Sequence, residues 1–294
     1  MVLKNIILFI CLVLLITSSA TAATLDVGQG KTYSTIQSAI DAAKTGDTIF
    51  VEEGTYSENL LIKTNGISII GKNRENLIIE GKQTSSGIRI DEVNNVVISG
   101  LTIKNSGGGG QEDAGVAIYK GSGNTVSNMI ITGNSVGVSL YQGSNNNIVS
   151  GNIIESNSGY GINLYASNDN KIFNNNIKNN KKIGIYAYSS KTNRIYQNNL
   201  IDNNGGQAYD NSGLNSWDMD KMGNYWSDYK GSGEYVITLG AKNAKDNFPQ
   251  ARAFSVKSEP IPTQKAQADK STPGFTVLLS IISLIAAGIF KRRI

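Results

Sequence analysis

Residues 124–215 consist of four consecutive blocks of 23 residues, and this period constrains the fold more than any other feature of the chain. The blocks begin at Asn124, Asn147, Asn170 and Asn193. A second Asn column runs Asn134, Asn157, Asn180, Asn203, and two aliphatic columns run Val126, Val149, Ile172, Ile195 and Ile131, Ile154, Ile177, Leu200. A fixed period of about 20 to 50 residues marks a repeat architecture. Within each block short β-branched runs alternate with period 2, as in residues 161–165, and Asn, Ser and Gly turns separate them. No block carries a helical stripe. Three short strands and three turns per coil, each coil stacked about 4.8 Å from the last, make a parallel β-helix with the aliphatic columns inside.

The Asn columns have a structural reason. Asn tolerates the left-handed backbone of a tight turn, and its amide can bond to an identical amide one rung away. The ladder reading of these eight residues therefore ranks above a reading of them as sugar ligands.

The two ends address the chain to the outside of the cell. Residues 1–22 read as a secretory signal peptide: Lys4, an apolar run over 6–16, then Ala20-Thr21-Ala22 for cleavage. The one cysteine, Cys11, lies in that run and leaves with it. The body is expected over 23–250, a linker over 251–272, and a sorting segment with an apolar anchor over 273–294. The apolar stretch 276–290 spans roughly 22 Å as a helix, short of a ~30 Å hydrocarbon core without its flanks. A basic end after such an anchor leaves the body outside. The formal charge of +4 is misleading, because Lys4, Lys291, Arg292 and Arg293 all lie in the end segments. Without them basic and acidic residues balance, so neither a nucleic-acid partner nor a basic membrane-surface patch is indicated.

Within the body, residues 34–44 predict one helix, capped by Ser34, with Ile36, Ala39, Ile40 and Ala43 as its apolar stripe and Gly46 beyond its end. It is placed to plug the first rung. Dividing 47–215 by the period gives about seven rungs. Ile98 and Val126 share a column at wider spacing than the repeat, so residues 106–113 form an insertion that is expected to project. Trp217 and Trp226 follow the last repeat and are expected to cap the open core. The fold class is thus all-β, a single-stranded parallel β-helix with an N-terminal capping helix and a C-terminal aromatic cap.

Two resemblances sharpen this. Residues 33–40, Gly46-Asp47-Thr48-Ile49, Gly54-Thr55-Tyr56, the repeats and residues 223–229 (Gly-Asn-Tyr-Trp-Ser-Asp-Tyr) resemble the NosD-like right-handed parallel β-helix proteins, which belong with carbohydrate-binding and sugar-hydrolase β-helices. The resemblance covers about 25–249. Many archaeal relatives continue with an Asp-rich, calcium-loop-like stretch, which residues 231–235 do not contain. Residues 273–294, with Pro273, Gly274 and Phe275 leading an apolar run to a basic terminus, resemble the PGF-CTERM sorting signal. That resemblance implies an archaeal source, removal of the tail by an archaeosortase and a lipid anchor, the alternative being a retained transmembrane helix. The NosD namesake is linked to copper delivery, yet the chain has no His, and past the signal only Met129, Met219 and Met222 offer sulfur. No metal and no cofactor is expected.

Outside the helix, period-2 alternation turns Tyr119, Tyr141, Tyr165 and Tyr188 outward in one column. Such a stripe could support sugar-ring faces, with Ser139 and Asn163 supplying hydrogen bonds; otherwise it is a cross-strand ladder that binds nothing. Catalysis on acidic polysaccharide needs paired carboxylates, or bound calcium with a basic residue. Asp91, Glu92, Asp113 and Asp169, with Arg89, Lys120, Lys171 and Arg194, are available but sit in no recognisable catalytic motif, and no catalytic residue is assigned. The expectation is an exported, surface-anchored structural or adhesive protein with polysaccharide binding along the Tyr face. The alternatives are a carbohydrate-active enzyme of the lyase or hydrolase kind and an accessory protein of a membrane complex.

Overall fold

A computed structural model of the chain describes residues 21–108 and 113–256. The chain divides into Met1–Ile261 and Pro262–Ile294; everything below concerns the first unit. The signal segment up to residue 20, the middle of the insertion at 109–112, most of the linker and the sorting segment lie outside the described residues.

Each turn of the chain lays one strand into each of three parallel sheets. Sheet A holds eight strands, beginning with Thr24–Val27 and Thr48–Val51 and ending with Lys171–Phe173 and Arg194–Tyr196. Sheet B also holds eight, from Gly54–Tyr56 to Tyr225–Trp226, and sheet C seven, from Leu60–Ile62 to Ala208–Asp210. The result is a right-handed parallel solenoid of about nine turns. The seven expected from the period fall short because Thr24–Val27 already pairs with Thr48–Val51, and because the solenoid runs on past the repeats to Tyr225–Trp226.

Register follows the 23-residue period. Val126, Val149, Ile172 and Ile195 stack directly on one another in sheet A, as do Ile131, Ile154, Ile177 and Leu200 in sheet B. All eight are fully buried. Tight approach demands glycine before the five middle strands of sheet C: a Cβ on Gly161 would stand 2.6 Å from the Gly184 carbonyl oxygen and 2.6 Å from Ile177.

The helix is shorter than expected, Ile36–Ala42, and Thr35 rather than Ser34 caps it. Thr35 is extended and accepts from the Ser38 N–H, while the N–H groups of Ile36 and Gln37 donate to the Glu58 carboxylate at 2.9 and 3.0 Å. These bonds satisfy donors that a helix start leaves open. Ile36, Ala39 and Ile40 are buried against the first strands, which closes that end of the core. At the other end Trp217 and Trp226 are both buried with ring centroids 5.7 Å apart, and Tyr235 stacks on Trp226 at 4.0 Å.

The Asn ladders are hydrogen-bonded chains inside the turns. After the first Asn of each ladder, which accepts from Val96 or Ser106, each Oδ1 accepts from the backbone N–H of the Asn one rung earlier, as Asn170 does from Asn147 and Asn180 from Asn157. The left-handed residues are their predecessors: Asn146, Asp169 and Thr192 stand before Asn147, Asn170 and Asn193, and Ser156, Asn179 and Asp202 before Asn157, Asn180 and Asn203. A third ladder joins Asn152, Asn175, Asn198 and Asn224 in the turn between sheets A and B.

Candidate functional site

The outward face of sheet C carries the expected column. Tyr119, Tyr141, Tyr165 and Tyr188 are register partners on successive strands, and Ser139 faces Asn163 one column over. Their surroundings divide the face into two parts.

In the earlier rungs the column is covered. Tyr141 is only 1 % exposed and packs with Ala114, Ala117 and Val136, with Tyr119 and Tyr160 against the same cluster. Its expected place as an open ring of a flat stripe is corrected accordingly. The described ends of the insertion are tied to neighbouring turns: Gly107 N–H donates to the Ser85 carbonyl and the Ser135 hydroxyl donates to the Asp113 carbonyl. Ser139 and Asn163 are buried as well, and the Asn163 amide donates to the Ser139 hydroxyl at 3.1 Å. Buried and bonded to each other, they are not free sugar contacts.

Arg89 closes this covered half. Its guanidinium donates to the Asp91 carboxylate at 2.9 Å and to the Tyr141 hydroxyl, and lies 5.0 Å from the centre of the Tyr119 ring. Burial pulls its pKa down, but Tyr141 and Asp91 pull it further up, so the guanidinium stays charged. Lys120 pairs with Glu92 at 3.1 Å and lies over Tyr119 at 4.7 Å; its hydrogen bonds to Tyr119 and Glu92 raise its pKa. Each charge here already has an opposite partner.

In the later rungs the face is open. Tyr165 is 43 % and Tyr188 37 % exposed. Their rings stack at 5.5 Å with planes 10° apart. Beside them Tyr160, Tyr186 and Tyr209 form a second stack, at 4.5 and 4.6 Å. Rung spacing is close to stacking distance, so identical rings in register turn their faces to each other rather than to solvent. Carbon contact is about 3.5–4.0 Å, so the 5.5 Å separation is an offset that leaves part of each face, the ring edges and the hydroxyls outward. Burial raises the pKa of Tyr160 and Tyr186, which keeps both as neutral donors. The second stack escaped the sequence pattern because Tyr160 lies in a turn, outside any strand alternation.

Among solved structures, pectate lyase Pel9A is similar with a TM-score of 0.52 at 14 % identity, over 63 % of this chain and 55 % of that one. Pectin methylesterase PemA from Erwinia chrysanthemi is similar with a TM-score of 0.45 at 16 % identity, over 69 % and 70 %. The first shares the β-helix fold with this chain. The uncharacterized protein YwoF of Bacillus subtilis (strain 168) is 33 % identical over 100 residues, which is 30 % of this chain and 21 % of that protein, so the match spans about a fifth of the relative's length. Residues 272–294 match the PGF-CTERM motif, which makes this an exported protein anchored at the cell surface by its C-terminus.

Residues 27–231 match the model of NosD, described as a periplasmic copper-binding protein. The donor set does not fit copper. The chain has no His, Met129 is buried in the hydrophobic core, and the Met222 sulfur accepts from the Gln197 amide at 3.0 Å. Among the described residues no group of three or more His, Cys, Asp or Glu could hold a metal ion. On the strength of the match over most of its body, the chain belongs to the NosD family of parallel β-helix proteins.

Proposed function

We propose that the protein is a structural and adhesive element of the cell surface that holds envelope or extracellular polysaccharide on the open half of sheet C. The observation that carries this reading is the exposed Tyr165–Tyr188 stack with the half-buried Tyr160–Tyr186–Tyr209 stack beside it on the same face. Sugar C–H groups pack on the uncovered parts of the rings, and neutral phenols donate to sugar hydroxyls. A fixed backbone holds these groups in place, so little conformational freedom is lost on binding.

The test is retention of soluble polysaccharides by the detergent-solubilised protein, with release of shortened products scored in the same samples. Retention without products, weakened about three- to tenfold by Tyr165→Ala with Tyr188→Ala, is the expected result. Undiminished retention in that double variant would remove the tyrosine face from the account.

A carbohydrate-active enzyme is the second reading, and the partly exposed pair of Arg89 and Asp91 is the observation that favours it. It requires that product appear and that Asp91→Asn abolish it.

A further inference from the structure

Sheet A carries a separate exposed groove around its last strands, Lys171–Phe173 and Arg194–Tyr196. Register sets Lys171 against Arg194 and Phe173 against Tyr196, and the two rings stack at 5.3 Å. Cross-rung charges in sheet B obey the opposite rule. Glu80 faces Lys104 and Glu155 faces Lys178, with ion pairs of 3.6 and 3.0 Å. Like charges directly opposite one another on neighbouring strands, about 4.8 Å apart, repel. Among the described residues neither Lys171 nor Arg194 has a carboxylate at ion-pair distance. An arrangement that costs stability in the free protein and leaves both cations in solvent is one that an anion would relieve.

The groove has the other parts of a sugar site. It encloses about 560 Å³ between Lys171, Arg194, Asn146, Asp169, Thr192, Leu214 and Ser216. Leu214, 61 % exposed, offers an apolar contact. Asn146, Thr192 and Ser216 offer donors and acceptors for hydroxyls. Asp169 decides the class of anion. With one carboxylate against two cations the groove is only modestly positive, which disfavours the dense phosphate ladder of a nucleic acid, where affinity comes from many neutralised phosphates. It suits isolated carboxylates set among hydroxyls, the hydroxyls donating to Asp169.

We propose that this groove binds carboxylated polysaccharide, with Arg194 and Lys171 sharing a uronate carboxylate, Asp169 and Asn146 on adjacent hydroxyls and Leu214 against the sugar ring. The planar guanidinium matches a carboxylate in two parallel hydrogen bonds, and the ammonium adds a point charge beside it. The proposal does not depend on the tyrosine face, which lies on a different sheet.

The experiment titrates detergent-solubilised full-length protein with polygalacturonate, with the same polymer after methyl esterification, and with single-stranded DNA of matched length. The expected result is binding of the acid form that weakens with salt, at least tenfold weaker binding of the esterified form and of DNA, and at least tenfold loss in Lys171→Ala with Arg194→Ala. Tyr165→Ala with Tyr188→Ala leaves this acid-selective component in place, so failure of the groove and failure of the tyrosine face give different patterns. The thermal midpoint of Lys171→Ala is expected to stay level or rise, because a repulsion is removed. No binding by the unaltered protein, equal binding of the esterified polymer, preference for DNA, or undiminished binding by the double variant would overturn the proposal. A fall in the thermal midpoint would overturn it too, by showing that the cations brace the fold.

Discussion

The side-chain oxygen of Asn170 accepts two hydrogen bonds from Asn147, one from its backbone N–H at 2.8 Å and one from its amide at 3.1 Å. Asn147 does the same for the backbone of Asn124 at 2.9 Å, and its amide also donates to the Gly121 carbonyl at 3.0 Å. Every polar group of the side chain is satisfied, and all of it is buried.

Asn147→Ala therefore leaves the Asn124 N–H and the Gly121 carbonyl without their partners in a dry turn. An orphaned buried polar group costs about 1–3 kcal/mol, so a loss of about 2–3 kcal/mol is expected in denaturant unfolding. Lys181→Ala, on the surface, should stay within about 0.5 kcal/mol. Equal effects would mean that the turn admits water.

Gly161→Ala tests packing in place of hydrogen bonding. Its new methyl would meet a carbonyl oxygen of the next rung, and backbone cannot swing aside as a side-chain end can. A loss of about 1–3 kcal/mol is expected from overpacking. At Gly143 nothing lies within 4 Å of the added methyl, and only its φ of +88° opposes alanine. There about 1 kcal/mol is expected, and thermal unfolding of the two variants side by side separates the two causes.

The repeat made most of this architecture readable in the sequence, since a fixed period determines which residues stack. Ile172 on Val149 and Tyr188 on Tyr165 follow from counting. What counting cannot show is what lies over an outward residue. Tyr141 and Tyr165 hold the same place in their strands, yet one is buried because Ala114 and Tyr160, from turns outside the strand pattern, pack on it. The third Asn ladder was hidden for a similar reason: Met129 holds its place in the first block, and Asn224 follows Asn198 at an irregular spacing. The Lys171–Arg194 pair was visible as two residues in one column. Its meaning came only with the absence of carboxylates at ion-pair distance among the described residues around it.

Tyr141→Phe separates bracing from binding on sheet C. The substitution removes the hydroxyl that accepts from Arg89 and leaves the ring in its buried cluster. Arg89 is partly exposed, so water replaces much of the lost bond, and a cost of about 1 kcal/mol is expected. Polysaccharide retention should not change, whereas Tyr165→Ala with Tyr188→Ala should weaken it with little effect on unfolding. A loss of retention in Tyr141→Phe would move the binding surface to the covered half of the face.

Asp246 ends the third ladder, where the sequence supplies a carboxylate in place of another amide. It is fully buried; Oδ2 accepts from the Asn224 N–H at 2.7 Å and the Trp226 indole at 2.9 Å, and Oδ1 accepts from the Phe248 N–H at 2.9 Å. Burial raises its pKa above the ordinary 3.8; these three donors pull it back in part, and Asp218 adds to the rise. A carboxyl that holds its proton more tightly in the folded state favours folding below its unfolded pKa, and that contribution is lost as pH climbs through the raised folded value. Asp246→Asn cannot titrate. The stability of the unaltered protein minus that of the variant, from denaturant midpoints between about pH 3 and pH 7, should therefore decrease as pH rises. A difference that grows with pH would show that the N–H donors outweigh burial and that the folded carboxyl titrates below 3.8.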